Sequence, residues 1–312
     1  MKPIVLAAAA VFLIGASPQV VRAQVAPAQS DQPAVVDLPD IEVSAQATRA
    51  AIRSFVGQVT SSGDSNGQTA RFERRICPGV VNIARSHAQV INDRIAAAAL
   101  LVDLPVGAPG CDPNVLVIFT DQSDVLAQRL VADHPRTFVQ QTDGLDQGRR
   151  RLEDFLRPGS VVRWWQLTEE DGGVQDITDL ERPHAMGGLS GDSRLRAAYR
   201  TDLYRTILIV DLARANPVAL EALGDYLAFR ALAETAYDAD TSSNATILNL
   251  FAQPRDQAPS GLTEWDVAYL KALYSARNYA TGGLQRGDVA GRMARALRAS
   301  DAPTTADADP RP

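Results

Sequence analysis

Three stretches of the chain are apolar at nearly every position, and they fix the reading of what lies between them. Val115 to Phe119 and Thr206 to Val210 are short continuous apolar runs, the pattern of strands buried on both faces of a sheet. Pro217 to Glu234 is apolar on most faces and long enough to be a buried helix. Asn216 suits its N-cap and Pro217 its first position, where a missing N–H costs nothing. Asn82 to Val102 carries Ile83, His87, Val90, Ile91, Ile95, Ala98, Leu101 and Val102 at helical spacing, which predicts a long helix with His87 on its apolar stripe, a core or boundary position.

Shorter signals complete the outline. Gln46 to Val59, Gln122 to Val131 and Leu145 to Leu156 read as helices, and Phe72 to Ile76 as a strand running into Cys77-Pro78. Ser160 to Leu167 is β-rich and contains Trp164 and Trp165; on a half-buried strand one of the two faces out. Leu262-Thr263-Glu264-Trp265-Asp266-Val267 has a helix-start signature, with Thr263 as cap, Asp266 at the capping-box position and Leu262 stapled onto Val267. A last helix spans about Asp288 to Leu297. Strands alternating with helices predict an α/β or α+β fold, a single domain over 46–299 with a mixed sheet covered by helices.

The ends of the chain have a different character. Lys2, an apolar stretch from Ile4 to Gly15, and small residues at Val21 and Ala23 form the layout of a bacterial-type secretory signal, 1–23, cleaved after Ala23. The apolar run is too short to span a bilayer, so no stable membrane insertion is expected once the signal is removed. Residues 24–45 are rich in Pro, Ala and Asp and read as a disordered leader; 300–312 read as a disordered tail. The two cysteines, Cys77 and Cys111, suggest one disulfide in a periplasmic or secreted protein.

Composition then narrows the function classes. Hydrophobic residues at 46% and charged residues at 22% exclude a disordered chain, a collagen and a polytopic membrane protein. The net charge is −6, and −8 once Lys2 and Arg22 leave with the signal, so nucleic acid is not an expected partner. Only two of the 31 basic residues, Lys2 and Lys271, are lysine, which reflects composition bias and carries no functional reading.

Complete catalytic motifs are absent. His87, His134 and His184 form no HxxxH or HExxH pair, so no metal and no cofactor is expected. Ser190 sits in a glycine-rich loop, Gly187 to Ser193, without a nucleophile elbow. Asp238 to Ser242 resembles a calcium loop, but Ser243 and Asn249 stand where such a loop needs Gly and Glu. Asn244-Ala245-Thr246 is a glycosylation sequon by letter only. Asp121 and Asp211 are better placed. Each follows an apolar strand, where ligands of open α/β sheets gather, and each could equally cap the next helix or turn.

The last third resembles the C-terminal half of matrixin-like zincin metalloproteases. The order is buried strand, buried helix 217–234, polar loop, Ile247 to Phe251, then Leu262-Thr263 through Asp266, Leu270, Leu273 and Tyr274. The family's zinc helix carries H-E-x-x-H-x-x-G. Here Gly224 and Ala228 stand in place of both metal ligands, Asp225 in place of the catalytic Glu, and Asn249 near the place of the turn methionine. The resemblance implies a zincin-like C-terminal half that has lost its zinc chemistry. The pattern is similar also to uncharacterised secreted proteobacterial proteins that keep this helix and tail without the ligands. The first expectation is therefore a non-catalytic binding scaffold in the cell envelope, with an envelope protein or peptide as partner, taken along a sheet edge. The alternative is a metal-independent hydrolase using paired carboxylates from Asp121, Asp211 and Asp225 as acid and base.

Overall fold

The computed structural model describes residues 49–60, 67–138, 147–172, 197, 199–216 and 218–300. Their elements, in chain order, are α1 (Arg49–Val59), β1 (Arg71–Phe72), β2 (Pro78–Val81), α2 (Arg85–Leu100), β3 (Val115–Thr120), α3 (Ser123–Asp133), α4 (Pro135–Phe138) and α5 (Gln147–Phe155). After these come β4 (Val162–Gly172), β5 (Tyr199–Asp211), α6 (Leu212–Ala215), α7 (Leu220–Leu232), a 3-10 turn (Ile247–Asn249), α8 (Glu264–Ser275) and α9 (Gly282–Ser300).

Strand β5 organises a five-stranded, mostly parallel sheet. One of its edges pairs in parallel first with β1, Phe72 opposite Leu203, and then with β3, Val115 opposite Thr206. Strand β2 adds outside β3, and the β2–α2–β3 segment is a parallel crossover. The other edge of β5 carries β4, antiparallel along its length with a register shift between Leu167 and Thr168. The fold is thus α/β and forms one compact domain.

Side-chain alternation on β3, β4 and β5 feeds two cores. Val117, Phe119, Trp164, Leu208 and Val210 point into the larger one, filled from α1, α2, α7, α8 and α9 by side chains such as Phe55, Ile91, Leu227, Tyr269 and Met293. Trp165, Leu167 and Ile209 point the other way, into a smaller core with Ala127, Phe138 and Phe155. The rings of Phe138, Phe155 and Trp165 lie 5.2–5.7 Å apart there, and the Trp165 indole N–H donates to the Thr137 carbonyl at 3.0 Å. Both tryptophans are therefore buried. One would face out only on a strand covered on one side, and α3 to α5 cover the second.

Several boundaries differ from the sequence reading, each for a local reason. Phe72 to Ile76 is not one strand. The chain pairs with β5 at Arg71–Phe72, then steps across to pair with β3 at Pro78–Val81. Strand β5 starts at Tyr199, because Arg200 pairs with Asp202 and lets a polar segment join the sheet. Helix α7 starts at Leu220 with Ala219 at its N-cap; Asn216 instead ends α6, and Pro217 lies outside the described residues. Helix α9 begins six residues before the expected start and runs through Gly282, Gly283 and Gly287. His87 is exposed on the first turn of α2, because burial on that helix begins at Ile91. The capping box at Thr263 and Asp266 forms with both reciprocal hydrogen bonds.

Cys77 and Cys111 bring their Sγ atoms to bonding distance, with Cα atoms 6.1 Å apart, closing the segment that spans the crossover. Among the described residues no helix is long and apolar enough to cross a membrane. Both observations are compatible with an extracytoplasmic protein. Residues 1–48 and 301–312, which hold the expected signal, leader and most of the tail, lie outside the described residues, as do His184 and Ser190.

Candidate functional site

Helix α7 is the element on which the resemblance places chemistry, and its surroundings define what it can do. It is buried from Ala222 to Leu232. Gly224 lies against α2: a Cβ there would come within 2.9 Å of Arg94 Cβ and Cγ. Ala228 is wholly buried. Asp225, with a side chain 2% exposed, is held by three donors. Arg94 Nε donates to Oδ1 at 2.6 Å, Arg94 Nη2 donates to Oδ2, and the Leu262 N–H donates to Oδ2 at 2.8 Å. This is a bidentate guanidinium–carboxylate fork plus a backbone hydrogen bond. It ties α2, α7 and the start of the α8 segment together. Gly261 completes the packing, since a Cβ on it would meet Asp225 Oδ2 at 2.7 Å.

Asn249, which the resemblance sets near the turn methionine, is also tied by hydrogen bonds. Asn249 donates through Nδ2 to the carbonyls of Thr241 and Asn244, at 2.9 and 2.8 Å, and accepts from the Thr241 hydroxyl at 2.7 Å. Asp240 accepts from the Ser242 N–H and hydroxyl, which makes the Asp238 to Ser242 stretch a hydrogen-bonded turn. Among the described residues no three His, Cys, Asp or Glu side chains gather with the geometry to hold a metal ion.

A second polar cluster sits at the carboxyl ends of β3 and β5, where the register sets Thr120 opposite Asp211. Asp121, just past β3, is exposed. Asp211 caps α6 by accepting from the Arg214 N–H at 3.0 Å, and it takes further hydrogen bonds from the Ser123 hydroxyl at 2.8 Å and from Arg214 Nη1. Burial pushes the Asp211 carboxyl up, but those donors and the Arg214 charge outweigh it and hold it below the usual range. Arg163, fully buried on β4, donates to Ser123 Oγ at 2.8 Å and to Asp124. Asp121 and Asp211 thus share one end of the sheet, whereas Asp225 stands on α7 against Arg94. Acid–base catalysis by paired carboxylates requires one whose proton affinity is raised. Asp211 is shifted the other way and is engaged by a cap and an arginine.

A third group lies between α7 and β4. Arg230, 6% exposed, has its guanidinium 4.0 Å from the Trp164 ring and donates to Tyr226 and Thr235 hydroxyls at 3.2 and 2.7 Å. Tyr237 stacks on Trp164 with ring centroids 3.7 Å apart. Its hydroxyl accepts from the Trp164 N–H at 3.1 Å and donates to the Trp164 carbonyl. Those two backbone groups point away from β5, so Tyr237 closes the outer edge of β4 at that point. An added strand could not pair at Trp164. His134 is exposed at the end of α3.

Sequence reasoning named the acids and missed the arginines. Arg94 and Arg214, which engage Asp225 and Asp211, carry no signal of their own in the sequence. Arg163 within Val161-Val162-Arg163-Trp164-Trp165, and Arg230 within Leu227-Ala228-Phe229-Arg230-Ala231-Leu232, did carry one: each is a single charge inside an apolar run, and a buried cation requires a partner. No family model, curated protein or solved structure matches this chain.

Proposed function

We propose that this chain is an exported, non-catalytic binding scaffold of the cell envelope with a zincin-like helix and tail, its partner another envelope protein or a peptide. The observation that carries this reading is the Arg94 fork on Asp225. Where the resembling enzymes need an open metal site beside a general base, this helix has glycine packed against an arginine stem and a carboxylate fully taken up by donors. The paired-carboxylate alternative gains no support from the geometry around Asp211 and Asp225. The test is hydrolysis of casein and of chromogenic ester and glycoside substrates by the mature chain and by Asp225→Asn. No turnover by either is expected. Turnover that Asp225→Asn abolishes would overturn the proposal.

A further inference from the structure

We infer that the groove between α1 and α9 is a binding site for a small phosphate-bearing anion. It shares no residue with the Arg94–Asp225 fork and does not depend on whether α7 is catalytic. The groove encloses about 260 Å³. Arg49 and Arg53 line it from α1, four residues apart and so on one helix face; Arg295 and Arg298 line it from α9, three residues apart. No hydrogen bond or carboxylate ties any of the four among the described residues. Other arginines of α9 are engaged, Arg286 with the Gly67 carbonyl at 3.0 Å and Arg292 with Asp288 at 3.0 Å. The four guanidinium groups are exposed around one concavity, so their charges add to a locally positive potential that attracts an anion.

Space between the two pairs comes from α9 itself. Gly287 and Gly291 line the groove, and a Cβ on Gly287 would meet nothing within 4 Å, so no packing partner demands glycine there. Each glycine within a helix costs about 1 kcal/mol relative to alanine. The geometry points to phosphate because planar guanidinium forks from two sides match its tetrahedral oxygens. Size and charge select a small ligand. The volume falls below the 300–1,000 Å³ usual for drug-sized ligands, and a mature net charge of −8 repels a long polyanion while leaving the groove locally positive. A phosphate or diphosphate group meets these conditions, whether free in solution or, as a phosphate, on a lipid headgroup.

The experiment titrates pyrophosphate into the mature chain, residues 24–312, by calorimetry in 20 mM salt, and in parallel pellets the protein with vesicles of phosphatidylglycerol or phosphatidylcholine. One-to-one pyrophosphate binding is expected, weakened at least tenfold by Arg53→Gln/Arg295→Gln and unchanged by Arg136→Gln, an exposed arginine elsewhere. Gly287→Glu, whose Cβ meets nothing within 4 Å and which adds a carboxylate at the groove, abolishes it. Circular dichroism melting of each variant confirms that it is folded. Arginine-dependent pelleting with phosphatidylglycerol alone assigns the headgroup as the source; binding in calorimetry alone assigns a soluble ligand. The inference is overturned if neither probe binds, if Arg53→Gln/Arg295→Gln binds as well as the parent, or if binding emerges only once Asp301, Asp307 and Asp309 are changed to Asn, which would make the chain's own acids the occupant.

Discussion

Replacing Arg94 with Met separates a structural ion pair from a catalytic acid. The Asp225 carboxylate is 2% exposed and Arg94 32% exposed. Without the guanidinium, Asp225 keeps one donor, the Leu262 N–H at 2.8 Å. Removing one partner of a buried pair costs about 3–5 kcal/mol, because a charge stays buried uncompensated. Asp225→Asn leaves the other partner alone, but Arg94 reaches water and can rehydrate, so that change costs about 1–2 kcal/mol. The two substitutions are therefore unequal, with Arg94→Met the worse. Urea unfolding followed by circular dichroism at pH 8, disulfide intact, measures both costs. Arg94→Met within about 1 kcal/mol of the parent at pH 8, or Asp225→Asn costing as much as Arg94→Met, would refute the argument.

Other outcomes follow from the same contacts. Reducing the Cys77–Cys111 disulfide, which closes 34 residues, lowers stability by roughly 3–4 kcal/mol in the chain-entropy account, about 10 °C in Tm, read by melting with and without dithiothreitol. Two helix glycines respond oppositely to alanine: Gly287→Ala raises stability by about 1 kcal/mol, and Gly224→Ala lowers it, because Arg94 Cβ and Cγ stand 2.9 Å from the new methyl. Burial pushes the Asp266 carboxyl up to about 6 from 3.8, against the hydrogen bonds it accepts from Thr246, Thr263 and Ile247. The folded state then holds the proton more tightly than the unfolded one. Its contribution is complete below pH 4 and lost as pH rises toward 6, by about 3 kcal/mol at ~1.4 kcal/mol per unit. Asp266→Asn flattens that part of the unfolding free energy against pH, whereas an unchanged slope would rule Asp266 out as its source.

How much was legible in the sequence depended on whether local chemistry decided the structure. The apolar runs at Val115 and Thr206 are strands whose one face is fully buried in the larger core, while Leu116, Ile118 and Ile207 on the other face are half-buried. The capping box at Thr263 formed because its partners are three residues apart. What could not be read came from distant pairings. The polar start of β5 joins the sheet by pairing in parallel with β1, 131 residues earlier, with Arg71 opposite Asp202 in register. His87 followed the helical period but lay beyond the end of the face that α7 covers. The site showed the same division. Asp211 was expected either in a crevice or as a cap, and it caps α6. Asp225 was singled out by the resemblance, while Arg94 lies 131 residues earlier in the chain and its role emerges only when α2 packs on α7.

The central proposal is that α7, the helix the resemblance sets against a metal-binding one, holds packing and an ion pair instead of metal chemistry. Metal content tests it most directly. The mature chain, residues 24–312, is produced in an oxidising compartment, incubated with zinc, desalted and measured by plasma mass spectrometry. The account predicts less than a tenth of an equivalent retained, and the same for Asp225→Asn. One zinc per chain, lost on that substitution, would contradict it.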